Sequence, residues 1–237
     1  MALILAIDTS AKPVSCALIQ NEQILGSFYS NSGLTHSQTL MPMVKNLLDV
    51  AGISIDMLDA VAVNAGPGSF TGVRIGVSAV KGIAFTNNIP CISVSTLESM
   101  AYQIAAPADT VICCAMDARC QQVYSALFSK NEAGEMVRLS DDEAISLVEL
   151  KEKLWATHQP IILVGDGSEL CYNAFRDTIP QLYLAPSAVR YQNASATAAV
   201  AHRLFEAGQT ISAEELLPVY LRLPQAEREL NSRLNNK

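Results

Sequence analysis

The chain has 237 residues, half of them apolar, with a formal net charge of −7 and a pI of about 5.0. That length fits one large domain or two lobes with a sizeable core, and the acidic balance argues against autonomous binding to a phosphate backbone. No apolar run approaches the ~20 residues of a membrane span, and six cysteines without a Cys-x-x-Cys pair read as reduced thiols of a cytoplasmic protein rather than a disulfide framework.

The N-terminal apolar run has no Lys or Arg before it and ends at Asp8, which makes it a first strand and not a signal peptide. Residues 3–8, 14–20 and 23–30 read as a three-stranded meander, with Pro13 and Asn21-Glu22 as turn residues. A helix over 37–51 carries Leu40, Met41, Val44, Leu47, Leu48 and Ala51 and stops at Gly52. A strand at 58–64, a helix at 70–86, a short strand at 91–94 and a helix at 95–105 follow. Ala106-Pro107-Ala108 marks a boundary, so the expected units are 1–107, 108–217 and a C-terminal motif and tail, 218–237, that reads as a short exposed helix or a frayed end.

The second half opens as the first does. Strands are expected at 110–117, 122–129, 135–139 and 161–164, and helices at 146–156 and 193–207. A gap-free offset of 109 sets Asp8 on Asp117, Ala6 on Ala115, Val14 on Val123, and Ala17-Leu18 on Ala126-Leu127. An internal repeat of this kind implies a duplicated βββαβα unit.

One stretch points to chemistry. Gly66-Pro67-Gly68-Ser69 lies between a strand and a helix, where free N–H groups and the helix dipole favour an anion, and Ser69 is an N-cap candidate. The candidate residual nucleotide or anion site is Asp8, Thr9, Ser10, Gly66, Pro67, Gly68, Ser69, Thr71, Gly165 and Gly167. Against it, the turns after Asp8 and Asp117 lack the glycines that let backbone approach phosphate, and Asp166 stands between Gly165 and Gly167. Ser69 lacks the Gly-x-Ser-x-Gly spacing of a nucleophile elbow, so capping is its plain reading. A strand-end Asp8 ordinarily bonds its own turn. Arg74, one turn into the helix, either neutralises an anion or pairs with a surface acid. His36, His158 and His202 are too scattered in sequence to suggest a metal site.

The helices suggest an interface. Gly72, Gly76 and Ala79, with Gly82, form a small-residue stripe, and glycine inside a helix costs up to ~1 kcal/mol against alanine. Close packing on the chain's own sheet and docking of a partner helix both explain it. Beside it, Leu40, Met41, Val44, Leu47 and Leu48 make an apolar band wider than one helix face, which reads as a partner surface.

The run from Ala65 to Gly76 closely resembles the signature of the bacterial tRNA threonylcarbamoyladenosine biosynthesis family TsaB, also called YeaZ. Leu5 to Ser10, His36-Ser37 with Leu40-Met41-Pro42, Met116 to Arg119 with Val123-Tyr124, and Pro218 to Arg222 resemble further family motifs, so the likeness spans residues 3–222. It implies a two-lobed α/β fold of the actin-like ATPase, ribonuclease H-like, kind. It also implies a non-catalytic subunit that dimerises with and activates the catalytic subunit TsaD, with the ATPase TsaE joining them. The complex would transfer a threonylcarbamoyl group to an adenosine beside the tRNA anticodon. The first-lobe helices would pack on TsaD, or on a second copy in a homodimer, and tRNA would be met only through the complex. No tightly bound cofactor or metal is expected here, ATP and metal belonging to the partner subunits. TsaD carries a His-x-x-x-His metal pair where this chain has Thr96 and Met100. A small-molecule kinase or metallopeptidase on the same fold, or a stand-alone scaffolding homodimer, are the competing readings.

Overall fold

The computed structural model describes residues 2–222, in which two mixed sheets carry the fold. In the first sheet β1 (Leu3–Asp8), β2 (Val14–Gln20) and β3 (Gln23–Ser30) form the antiparallel meander. On the other side of β1, β4 (Ala60–Gly66) and β5 (Cys91–Ser95) run parallel to it, giving the order β3-β2-β1-β4-β5. The second sheet repeats the plan with β6 (Val111–Asp117), β7 (Gln122–Lys130), β8 (Met136–Arg138), β10 (Ile161–Val164) and β11 (Leu182–Leu184) in the order β8-β7-β6-β10-β11. A further strand, β9 (Glu143–Ser146), also pairs with β7. This twice-built order is the actin-like, ribonuclease H-like fold.

Helices α1 (His36–Ala51) and α2 (Phe70–Phe85) cover one face of the first sheet, and α4 (Leu147–Trp155) and α5 (Ser168–Phe175) cover the corresponding face of the second. Local chemistry sets their ends. Gly52 closes α1 in the left-handed region (φ 67°), returning its N–H to Asp49 O, while Ser146 and Glu149 cap the start of α4 reciprocally. Two further helices are exchanged between the sheets. α3 (Thr96–Tyr102) leaves the first sheet and seats Leu97, Met100 and Ala101 on Ile112, Cys114 and Met116 of β6. α7 (Ala194–Glu206), which follows the short α6 (Ser187–Arg190), returns from the second and seats Ala194, Ala198 and Ala201 on Ile4 and Ala6 of β1. Each fully buried Leu, Ile or Met contributes roughly 1.5–3 kcal/mol, so this exchange binds the lobes strongly. Ala194 N also donates to Ser15 Oγ at 2.9 Å, and Glu98 of α3 takes ion pairs from Arg138 and Arg203.

Two expectations change. The lobes do not divide at residue 107. α3 lies on the second sheet, and α7 with the segment to Leu216 lies on the first, where Cys91 bridges Ile211 and Leu216 is fully buried. The gap-free offset also fails along the first strands. The face of β1 toward α1 and α2 carries Leu5 and Ile7, and the face of β6 toward α4 and α5 carries Cys113 and Ala115. Asp8 therefore lies on the α7 side of its sheet and Asp117 on the α4–α5 side of its own, because a one-residue slip moves a strand side chain to the other face. Ile7 pairs with Cys16 and Ala115 with Ser125, so the second hairpin is one residue longer and Met116 stands where Asp8 stands.

The strands and long helices otherwise fall within a few residues of their expected ends. Strands β9 and β11 and helix α5 had no sequence expectation. The proposed end helix beyond residue 222 lies outside the described residues. Five cysteines are buried, with the Cys16 and Cys113 thiols pushed up to about 12 by burial, and Cys120 is exposed. No described helix is long and apolar enough to cross a membrane.

Candidate functional site: an interlobe cleft and a helix-pair groove

The strand ends converge on a cleft of about 490 Å³ between the lobes. Ser10, Lys12, Gly68, Ser69 and Phe70 line it from the first lobe, and Asp117, Arg119, Tyr124 and Asp166 from the second; Tyr220 and Arg222 close one side. Open α/β sheets generally hold ligands at this position, beyond the carboxyl ends of the strands.

The Gly-Pro-Gly-Ser turn is present, and its glycines lie against the chain's own backbone. A Cβ on Gly66 would collide with the carbonyl of Val219, one on Gly68 with the carbonyl of Ser10, and one on Gly72 with the carbonyl of Thr9. The chain's own acceptor oxygens thus occupy the space that a side chain would need at these three positions. Ser69 N donates to Ser10 O at 2.6 Å, and Ser69 Oγ caps Gly72 N at 3.3 Å, so Ser69 is the helix cap. Thr9 Oγ1 donates to Gly72 O at 2.7 Å, stapling the β1 turn to α2. In the second lobe a Cβ on Gly165 would strike Ala115 O, and Gly167 lies against the backbone of residues 115–117. Pro67 is buried, and Thr71 is exposed away from the cleft. Of the ten expected anion-site residues only Ser10, Gly68 and Ser69 reach the cleft wall.

The cleft's charge comes from Lys12, Arg119 and Arg222 against Asp117 and Asp166, and the sequence reading gave the three cations no role there. Burial pushes the Asp166 carboxyl up, helped by the nearby Asp117 charge and opposed by the charge of Lys12.

Asp8 is 1% exposed beneath the cleft. Its Oδ1 accepts from Ser10 N at 2.9 Å and Ser10 Oγ at 2.6 Å, while Oδ2 has no hydrogen-bond partner among the described residues. Burial raises its carboxyl above the ordinary 3.8, against the opposing pull of Ser10, Asn64 and His36. A folded-state pKa above the unfolded value means that ionising Asp8 costs stability. The penalty is absent below about 3.8, grows as pH rises toward the folded-state pKa and is complete above it. Asp8→Asn keeps an acceptor for Ser10 and removes the charge. Its melting temperature should exceed the wild type's at pH 7, with the gap closing as the pH is lowered through that window. A gap that is constant with pH would contradict this account.

Thr96 and Met100 are fully buried, Met100 in the core under α3, and Asn64 Nδ2 donates to Ser99 Oγ at 3.0 Å beside them. Among the described residues no three His, Cys, Asp or Glu side chains gather as metal ligands.

The helix pair is remodelled relative to the sequence reading. Leu40, Val44, Leu47 and Leu48 are at most 6% exposed and pack in the chain's own core, so they need no partner to leave water. Gly76 faces inward: a Cβ there would lie 2.5 Å from Thr9 Oγ1 and 3.1 Å from Val63 Cγ2. Gly72 and Gly76 are therefore close-approach positions toward β1 and β4, not a docking stripe. What remains outside is a groove of about 460 Å³ between α1 and α2, where Leu40, Met41, Phe70, Ile75 and Ala79 are joined by the exposed Arg74. Met41 is 46% exposed. Among the described residues Arg74 pairs with no acid; it lies 3.8 Å over the Phe70 ring and its Nε donates to Tyr220 Oη at 2.8 Å.

Comparisons with known proteins agree with this architecture. The family model "TsaD: tRNA N6-adenosine threonylcarbamoyltransferase" matches residues 30–230. The tRNA threonylcarbamoyladenosine biosynthesis protein TsaB of Escherichia coli (strain K12) is 32% identical over 96% of this chain and 97% of its own. The protein of the same name from Bacillus subtilis (strain 168) is 30% identical over 94% and 96%. The solved structure of YeaZ from Pseudomonas aeruginosa matches at a TM-score of 0.78 and 32% identity, covering 93% of this chain and all of that one. The chain belongs to the TsaB (YeaZ) family of tRNA threonylcarbamoyladenosine biosynthesis proteins.

Proposed function

We propose that this chain is a supporting subunit of tRNA threonylcarbamoyladenosine synthesis, without a catalytic centre of its own, which docks on TsaD through the α1–α2 groove and keeps that transferase active. The observation that carries the docking is the groove: an apolar channel of about 460 Å³ that stays open after Leu40, Val44, Leu47 and Leu48 have been used inside. Open apolar grooves with a polar rim serve as partner sites. The non-catalytic reading is supported by the residues at the places where chemistry would sit. Backbone carbonyls plug the Gly66, Gly68 and Gly72 notches, and Thr96 and Met100 are core residues. ATP and metal then belong to the partners TsaD and TsaE, and tRNA is met through the assembly in the cytoplasm. A net charge of −7 is consistent with leaving the tRNA backbone to another subunit. Without TsaD the same groove pairs with a second copy.

Reconstitution tests the proposal. With purified TsaD, TsaE, ATP, threonylcarbamoyl donor and unmodified tRNA, nucleoside mass spectrometry should detect the modified adenosine only when this chain is added. The chain alone should form none and should not turn over ATP. ATP turnover by the isolated chain, or full modification without it, would refute the assignment.

A further inference from the structure

The segment after the last core residue of the first lobe crosses to the second. Leu216 is fully buried in the first lobe's core, and Val219 N donates to Ala65 O at 2.7 Å while its carbonyl seats over Gly66. Tyr220 stacks on Phe70 with ring centroids 4.6 Å apart and accepts the Arg74 bond. Two residues on, Arg222 Nη1 donates at 2.5 Å to the carbonyl of Ala118, in the β6–β7 turn of the second lobe.

The remaining side-chain bonds between the lobes, among the described residues, involve α3, the β5–α3 junction or the start of α7: Ser95 to Asp142, Gln103 to Tyr191 O, Glu98 with Arg138 and Arg203, and Ala194 N to Ser15. Those lie on the side where the two helices are exchanged. Arg222 to Ala118 instead spans the cleft wall, since Ala118, Tyr220 and Arg222 all line the cleft. Among the described residues the side-chain bonds between the lobes thus lie at the exchanged helices on one side and at the 216–222 segment on the other. A carbonyl plug, an aromatic stack and a guanidinium anchor hold that segment at three points.

We propose that residues 216–222 are a latch that sets how far the interlobe cleft opens. The latch holds the first lobe through Val219 and Tyr220 and the second through Arg222. Releasing either end frees the lobes to separate about the α3–α7 contact, as hinge motions use a few residues at element ends.

A distance measurement across the cleft tests this on the whole chain. Cys120 is exposed beside Arg119, and the other five cysteines are buried, so spin labels on Cys120 and on Lys12→Cys report the gap between the lobes. Arg222→Ala should shift the distance distribution to longer values and broaden it, whereas Arg222→Lys, which keeps a donor, should move it less. Arg74→Ala attacks the other end from an exposed position and should produce the same opening, which keeps the test available if one variant is poorly behaved. Circular dichroism and melting curves confirm that each labelled variant is folded. Folded Arg222→Ala and Arg74→Ala proteins with the wild-type distribution would overturn the latch.

Discussion

Gly76→Arg should fail to give a folded protein. Gly76 sits in the middle of α2 with its Cα facing the β1 turn and β4, and even a methyl group there lies 2.5 Å from Thr9 Oγ1 and 3.1 Å from Val63 Cγ2. Those neighbours are held in place. Thr9 is fully buried and bonded to Gly72 O, and Val63 is fully buried in the sheet. Overpacking such a contact by one methyl costs about 1–3 kcal/mol, a large share of the 5–15 kcal/mol that separates folded from unfolded domains. A guanidinium adds the cost of burying an unpaired charge. Gly76→Ala should therefore melt clearly lower than the wild type, and Gly76→Arg should be insoluble or lack a cooperative transition. Gly82, six residues further along, supplies the control: among the described residues a Cβ there meets nothing within 4 Å. Gly82→Ala should raise stability by about 0.5–1 kcal/mol through helix propensity. A folded Gly76→Arg protein with wild-type melting would show that α2 packs differently on β1 and β4.

Gly76 also shows what a sequence can and cannot disclose. A glycine spaced four residues from another on a helix says that something comes close, but not what. Spacing cannot separate a partner's backbone from the chain's own β1 turn, some 67 positions earlier, because that contact is made by the topology. The same limit explains the α1 band. Leu40, Val44, Leu47 and Leu48 were legible as apolar, and the helix was placed to within a residue, yet their burial depends on β2 and β3 folding back beneath them. Apolar runs, with turn residues in the first meander, placed the strands of the two meanders closely, since both signals are local. The repeat was legible in order but not in register: one extra residue in the second hairpin turns Asp117 to the opposite face from Asp8, and a gap-free match cannot see it. The exchange of α3 and α7 and the charge of the cleft were not legible. Lys12, Arg119 and Arg222 come from three distant segments that only the folded chain assembles.

The second large effect is expected at the groove. Met41 is half-exposed on the outer side of α1, lines the groove, and is absent from the core that holds Leu40 and Val44. Met41→Arg should leave folding intact, because its side chain already reaches solvent. In a docked complex it would place an unpaired cation in an apolar contact, beside an Arg74 already engaged with Phe70 and Tyr220. Truncating a central interface residue costs 2 kcal/mol or more at hot spots, and a desolvated charge adds to that. Affinity for TsaD should fall at least roughly tenfold, about 1.4 kcal/mol, and tRNA modification in the reconstituted system should fall with it. Val50→Glu, at an 81% exposed position of the same helix that does not line the groove, is the matched control and should bind as the wild type does.

Titration calorimetry of the chain into purified TsaD, repeated with Met41→Arg and Val50→Glu, measures this most directly. The account predicts saturable binding for the wild type and for Val50→Glu, and binding weakened at least roughly tenfold, or lost, for a Met41→Arg protein with wild-type circular dichroism and melting. A folded Met41→Arg chain that binds TsaD with wild-type affinity would contradict the α1–α2 groove as the docking surface, and a wild-type chain with no measurable affinity for TsaD would contradict the proposed function itself.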